Sequence, residues 1–506
     1  MKIQKRMNFC CNGGHEMGLL NGMSNSSTHW KNYSKLLIFF LLTILVLFAF
    51  LIHSARGEQE YQVAVFFLIM LALAIFGFFM LSKKLVLFEP VVLFSAYYST
   101  VLIAGGYSIY NNFENNLFVQ NSTFSQDIPT LMGHACMYLF FGYIFMLFGY
   151  YFVREKNLKV ELCFETKAKI SDTVVSVIIL IFLSIGIFNF LYNVFIFAGG
   201  NAFNYMVNLS MRSYEFEHTG TTLGYLFAYN AMYLWFFKLL RHKKNWSFPF
   251  VLFLAATIVI QASTARIFST ISYITSFVGL FYFVEIRRKQ LPSNSKYCFA
   301  LLGLAVSGLL FYLLRIVSNR LITGQLIVSV AQELSSLLGL LGHFAVESGN
   351  LPNIGVFIKI IDAWDKDIGF LNGQSLISWV CNILPSSFNW VVLQPSYMIK
   401  EVWYSHLPGG LLPPTGVGEM YANFGFFGPF IGMFFFGSFS ALLYNLTLKS
   451  KNFWVYIVSM QLSIGFIMLY PKGEFFNLSL WKILPILMTF LLLRLLSSVR
   501  CQQAGK

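Results

Sequence analysis

Apolar runs of roughly 18 to 25 residues recur along this chain and leave it few ways to fold. "LLIFFLLTILVLFAFLI" (36–52) and "VAVFFLIMLALAIFGFFML" (63–81) carry no charge at all. Only 11% of the 506 residues are charged, against about 25% in soluble domains. The chain therefore reads as an all-α polytopic membrane protein. Twelve spans are expected, at 36–53, 61–81, 85–104, 131–153, 172–198, 222–240, 247–263, 267–285, 297–316, 424–446, 453–470 and 478–497.

Basic residues fix the orientation. Lys83 and Lys84, Arg154 with Lys156 and Lys159, Arg241 with Lys243 and Lys244, Arg287 to Lys289, Lys449 with Lys451, and Arg500 with Lys506 close every even-numbered boundary. By the positive-inside rule these boundaries are cytoplasmic, and so are both termini. The net charge of +14 is then a topology signal, and no nucleic-acid partner follows from it. Residues 1–35 are polar and lack the apolar core of a signal peptide, so they read as a mobile cytoplasmic tail. The seven cysteines are scattered, only Cys381 falls in a large outer loop, and no disulfide framework is implied.

The expected organisation is a tail (1–35), nine spans (36–316), a large outer loop (317–423), three spans (424–497) and a second tail (498–506). A loop that long in a compact protein is functional or disordered, and this one has the composition of folded chain. "QLIVSVAQELSSLLGLLGHFAVES" (325–348) and "GQSLISWVCNILPSSFNW" (373–390) have the apolar spacing of amphipathic helices lying on the outer surface. Reading 325–348 as a thirteenth span would reverse the parity of every later segment.

Motifs of soluble enzymes are missing: there is no Walker A loop, dinucleotide fingerprint, His-Glu-x-x-His or Gly-x-Ser-x-Gly. "DAWDKD" (362–367) comes nearest to a metal-binding carboxylate pair and reads as a solvated turn before an amphipathic helix. No metal and no cofactor is expected. Arginines on the outer side need a reason. Arg212 lies in an outer segment, Arg266 in the tight turn "QASTARIFST", and Arg315 and Arg320 where span nine leaves the bilayer. A guanidinium at this depth is costly unless paired or beside a polar cavity. Its planar fork suits bidentate binding of phosphate oxygens, so the four converging on a diphosphate is one reading; interfacial snorkelling is the other.

Arg212 with Tyr214, Arg266 in its Ser/Thr-rich turn, "NILPSSFN" with "LQP" (382–395), and "GGLLPPTGVGEMYANFGFFG" (409–428) together form a pattern. The chain from span five onward resembles the O-antigen polymerase (Wzy) family of bacterial oligosaccharide repeat-unit polymerases. Pro414, Thr415, Glu419, Tyr421, Asn423, Phe424, Gly425 and Gly428 carry its most specific stretch. One departure is Lys472 in "PKGEFFN", where relatives often place an Arg; a lysine keeps the charge and gives up the fork.

The resemblance implies a GT-C-like fold in the bacterial inner membrane with its active site facing the periplasm. It implies an inverting, metal-independent glycosyltransferase whose donor and acceptor are both glycans on undecaprenyl diphosphate, and a possible chain-length regulator as partner. Arg212, Arg266, Arg315, Arg320 and Lys472 would hold the diphosphate, and Tyr214, Thr415, Tyr421 and Asn423 would meet substrate. A base must take the acceptor's proton; Glu419, placed at the outer lip of span ten by an extended approach, is one candidate, and His406, Glu333 and His343 are others. Two alternatives stand beside this: an O-antigen ligase with the same donor, and a lipid-linked oligosaccharide flippase.

Overall fold

The computed structural model describes residues 61–81, 86–110, 117–120, 122–155, 171–202, 205, 224–242, 247–264, 267–287, 295–300, 302–303, 353–377, 394–406, 412–467, 470, 473 and 491. Among these residues the structure is helical, with no strand. In chain order the helices are α1 (Gln62–Leu81), α2 (Pro90–Tyr110), α3 (Leu117–Gln120), α4 (Ile128–Val153), α5 (Asp172–Ala198), α6 (Gly224–Arg241), α7 (Phe248–Thr264) and α8 (Ile267–Arg287). They continue with α9 (Ile354–Asp367), α10 (Pro395–Trp403), α11 (Gly416–Phe424), α12 (Gly428–Lys449) and α13 (Phe453–Gln461), which runs on into a π turn at Leu462–Phe466. Gln62–Met80, Ile128–Val153, Asp172–Ile196 and the run Gly416–Lys449 are long and apolar enough to cross a membrane; α2, α7, α8 and α13 contain shorter apolar stretches.

The spans expected at 61–81, 172–198, 247–263 and 267–285 match α1, α5, α7 and α8 to within about two residues, the usual ambiguity of helix ends. Caps explain the larger shifts. α4 starts at Ile128 because Asp127 accepts a 3.0 Å bond from the amide of Thr130, with Pro129 in the first turn. α2 starts at Pro90, which has no amide hydrogen to leave unpaired. The expected span at 36–53, all of 478–497 but residue 491, and most of 297–316 lie outside the described residues, as does 325–348.

α4 and α12 form the central pair. A side chain at Gly149 would run into the carbonyl of Phe434, and one at Gly437 into that of Met146, so the two backbones touch. Close approach through small residues is how helices associate where lipid removes the hydrophobic drive between them. Ser438 adds a 3.2 Å bond to the carbonyl of Gly149. Around this pair the core is aromatic. Phe94, Tyr98 and Tyr143 stack; the Tyr143 hydroxyl bonds that of Ser95 (2.8 Å), and the Tyr98 hydroxyl donates to the carbonyl of Leu139 (2.8 Å).

Ion pairs join several helix ends. Arg154 at the end of α4 pairs at 3.0 Å with Glu89, which is buried at the start of α2 and also receives the hydroxyl of Tyr150 at 2.8 Å. Arg241 pairs with Asp172, and Lys449 with Glu155. These residues belong to the ends that the basic clusters predict to be cytoplasmic.

A cap covers the opposite end. α9 lies against α4 and α11, and a second small core gathers Phe118, Val356, Ile360, Trp364, Leu371, Ile399, Tyr404 and Ala422. The expectation for "DAWDKD" is corrected here. It is the last part of α9, continuous from its Asn353 cap, and Asp362 is buried at 6% exposure. The apolar positions Ile354, Phe357, Ile358 and Ile360 carry the helical period through it. Asp362 survives burial because the strap 122–127 supplies donors: both the amide (3.0 Å) and the hydroxyl of Ser125 bond its carboxylate. Lys359, buried beside it, donates at 2.6 Å to the carbonyl of Thr123 and lies over the rings of Phe124 and Trp403. Burial pushes its ammonium below the usual lysine range, and Asp362 and Asp367 oppose that shift. Two segments that are far apart in sequence are thus one layer.

Candidate functional site

The polar stretch before α12 is a helix of its own, not the extended approach expected. Thr415 caps it from a left-handed conformation (φ 69°), its hydroxyl accepting from Gly418 at 3.0 Å and its carbonyl from the amide of Glu419 at 2.8 Å. α11 ends at Gly425, whose φ of 62° a side chain would oppose, and a 3-10 turn, Gly425–Phe427, redirects the chain into α12. Glu419 therefore sits in the first turn of α11, where a carboxylate is favoured by the helix dipole. It does not face outward: it is 1% exposed.

Asn423 follows one turn later on the same face and is fully buried. Its bonds assign its orientation. The amide of Gly373 can only donate, and it lies 3.0 Å from Oδ1. Nδ2 then donates to Ser375 Oγ at 2.7 Å and to the carbonyl of Glu419 at 2.8 Å. The Ser375 hydroxyl, in turn, donates to Glu419 Oε1 at 2.9 Å. The backbone repeats the attachment: the amides of Leu371 and Asn372 bond the carbonyls of Ala422 (3.0 Å) and Asn423 (2.9 Å). A helix end leaves its last carbonyls unpaired, and here a turn some fifty residues earlier supplies the missing donors. Gly369, Asn372 and Gly373 all have positive φ, which shapes that turn to present three amides.

The remaining neighbours come from α12 and from beyond α13. Tyr470 donates at 3.1 Å to the carbonyl of Gly416 and stacks on Phe436 with centroids 4.3 Å apart. A side chain at Gly416 would lie 2.7 Å from Tyr470, so this contact needs glycine. Tyr421 points the other way, edge-on to Tyr138 at 5.4 Å, with its hydroxyl 3.5 Å from the carbonyl of Ile361.

Of the expected site residues, Thr415, Glu419, Tyr421 and Asn423 come together on α11, and their polar groups bond the protein itself. Thr415 is a cap and Asn423 an anchor, so in this conformation neither presents its side chain to a substrate. His406 is exposed in the turn after α10, and no hydrogen bond among the described residues joins it to Glu419. Arg212, Tyr214, Arg266, Arg315, Arg320, Glu333, His343 and Lys472 lie outside the described residues. Ser375 and Tyr470 were missed. The turn signal "LNGQS" marks a bend at Ser375, but nothing local tells that the bend meets α11.

Among the described residues no group of three or more His, Cys, Asp or Glu is arranged to hold a metal ion. Protein-family models, curated proteins and solved structures all fail to match the chain.

Proposed function

We propose that this protein polymerises oligosaccharide repeat units carried on undecaprenyl diphosphate, as an O-antigen polymerase of twelve spans and GT-C-like fold. It would work at the periplasmic face of a bacterial inner membrane, with both termini in the cytoplasm. The observation that carries the proposal is the junction of the cap with α11. There the residues of "PTGVGEMYANFG" build a buried, hydrogen-bonded carboxylate between a surface layer and a long apolar helix. A lipid-borne sugar is handed over at that kind of boundary.

In the proposed reaction a hydroxyl of the acceptor unit attacks the anomeric carbon of the donor glycan. The new glycosidic C–O bond forms as the bond to diphosphate breaks, the proton passes to a base, and undecaprenyl diphosphate leaves. Arg212, Arg266, Arg315, Arg320 and Lys472 are assigned to the leaving diphosphate, where cations stabilise developing charge without a metal. A general base must reach its proton at about 3 Å or through one water. The burial of Glu419 behind Ser375 favours an organising role for it over direct proton transfer, with His406, Glu333 and His343 as the remaining candidates for the base.

The test is purified protein incubated with a lipid-linked repeat unit, with and without a chelator. A ladder of lengthened lipid-linked products in both supports the proposal. Transfer to a lipid A core alone identifies a ligase, movement of intact units across a vesicle wall identifies a flippase, and a ladder abolished by chelation removes the metal-independent mechanism.

A further inference from the structure

The turn Gly369–Gly373 and Ser375 are attached to α11 by three backbone amides and a side-chain chain that runs one way. Asn423 Nδ2 carries only donors, so Ser375 Oγ accepts there and its own proton is directed at Glu419. Ser375 is 4% exposed, Asn423 0% and Glu419 1%. The turn itself follows directly from α9, whose side chains hold the strap 122–127. The Ser375 hydroxyl therefore links the Glu419 carboxylate directly to the cap.

We propose that Ser375 is a positioning residue: it fixes the Glu419 carboxylate and ties it to the cap, so that cap and α11 move as one unit. Its effect on the reaction rests on the polymerase reading above, with Glu419 as an organiser of the site; the attachment itself does not. Without the hydroxyl, Glu419 Oε1 and Asn423 Nδ2 each lose a partner, while the turn keeps its bonds to the carbonyls of α11 and to Asn423 Oδ1. Threonine retains the hydroxyl and alanine does not.

The experiment is a double-mutant cycle on the full-length protein in nanodiscs, comparing wild type, Ser375→Ala, Ser375→Thr, Glu419→Gln and the pair Ser375→Ala with Glu419→Gln. The first readout is amide hydrogen exchange of 369–377 and 416–424, which needs no substrate. Ser375→Ala is expected to speed exchange in both segments together, by roughly tenfold, the scale of one hydrogen bond to a charged group. Ser375→Thr restores slow exchange, and the double variant is no faster than the faster single. Unchanged exchange in Ser375→Ala, or effects that add in the double variant, overturns the attachment. The second readout is the ladder. If Ser375→Ala shifts KM and kcat in the same pattern as Glu419→Gln, the positioning role holds; if its kinetics stay wild-type while exchange rises, that role is overturned. If the wild type makes no ladder, the polymerase reading fails by itself and exchange still decides the attachment.

Discussion

The hydroxyl of Ser375 donates to Oε1 of Glu419 across 2.9 Å, joining residues forty-four apart in the chain. That bond places the carboxylate inside the protein, and it separates two roles that the sequence leaves open. A base acting on the acceptor gives a rate profile with an acidic limb, and Glu419→Gln would remove that limb. An organising carboxylate, the role its burial favours, predicts that Glu419→Gln weakens donor binding about tenfold and leaves the limb in place. The measurement is kcat/KM against pH for both proteins. Full activity in Glu419→Ala would leave α11 as a packing element and defeat both roles.

Asn423 offers a prediction about stability. Asn423→Ala removes two donated bonds from a fully buried side chain and leaves the half-buried amide of Gly373 without that acceptor. Losing the two buried bonds of Asn423 costs about 1–3 kcal/mol. Thermal unfolding in detergent should drop clearly for Asn423→Ala. It should drop much less for Tyr421→Phe, whose hydroxyl sits at the 3.5 Å limit of hydrogen bonding. Equal effects at the two positions would contradict the assignment of Asn423 as the anchor.

Much of this architecture is legible in the sequence because lipid imposes one simple rule. Continuous apolar length marks a span, and α1, α5, α7 and α8 fall where that length predicts. Basic residues mark helix ends, and Arg154, Arg241 and Lys449 are found there, each beside an acid. The cap is a different case. Asp362 looks solvated because "DAWDKD" is dense in charge, but its burial depends on donors from Ser125, 237 residues away. Ser375 is an ordinary serine until α11 lies against it. Local pattern carries periodicity and turn chemistry, whereas partners of buried polar groups are set by tertiary contact, which no short window contains. The same reason hides Tyr470, whose importance comes from the bare backbone of Gly416.

The α4–α12 contact predicts a severe effect from a small change. Gly437→Leu puts a side chain against the carbonyl of Met146 and the amide of Tyr150, both backbone atoms that cannot swing aside. Overpacking in a core costs about 1–3 kcal/mol and more where backbone must move. Membrane-inserted, folded protein should fall sharply, read as the fraction that stays monodisperse after detergent extraction. Gly77→Leu is the control, since a side chain there meets nothing within 4 Å. If both variants behave alike, the two central helices do not pack as closely as described.

The last prediction concerns the cap and alkaline pH. Tyr404 is buried, accepts from Ser122 at 2.9 Å and donates to the carbonyl of Phe118 at 3.1 Å. Burial pushes its phenol from 10.0 up to about 12, while the Ser122 bond pulls the other way. A folded value raised above the unfolded one means that the neutral phenol stabilises the fold. That contribution is complete below pH 10.0 and is lost as pH rises through about 12. Tyr404→Phe lacks the contribution at every pH and loses the bonds to Ser122 and to the Phe118 carbonyl, so it should be less stable by about 1–3 kcal/mol at neutral pH. Lys359, with its ammonium pushed down, has the opposite pH dependence, but it is present in both proteins and cancels in their difference. The unfolding midpoints of wild type and Tyr404→Phe should therefore stay a constant distance apart up to pH 10.0 and converge between there and about 12. Convergence at a lower pH would mean that another group links the strap to α10. No convergence by the upper limit would mean that the phenol is not shifted up in the folded cap.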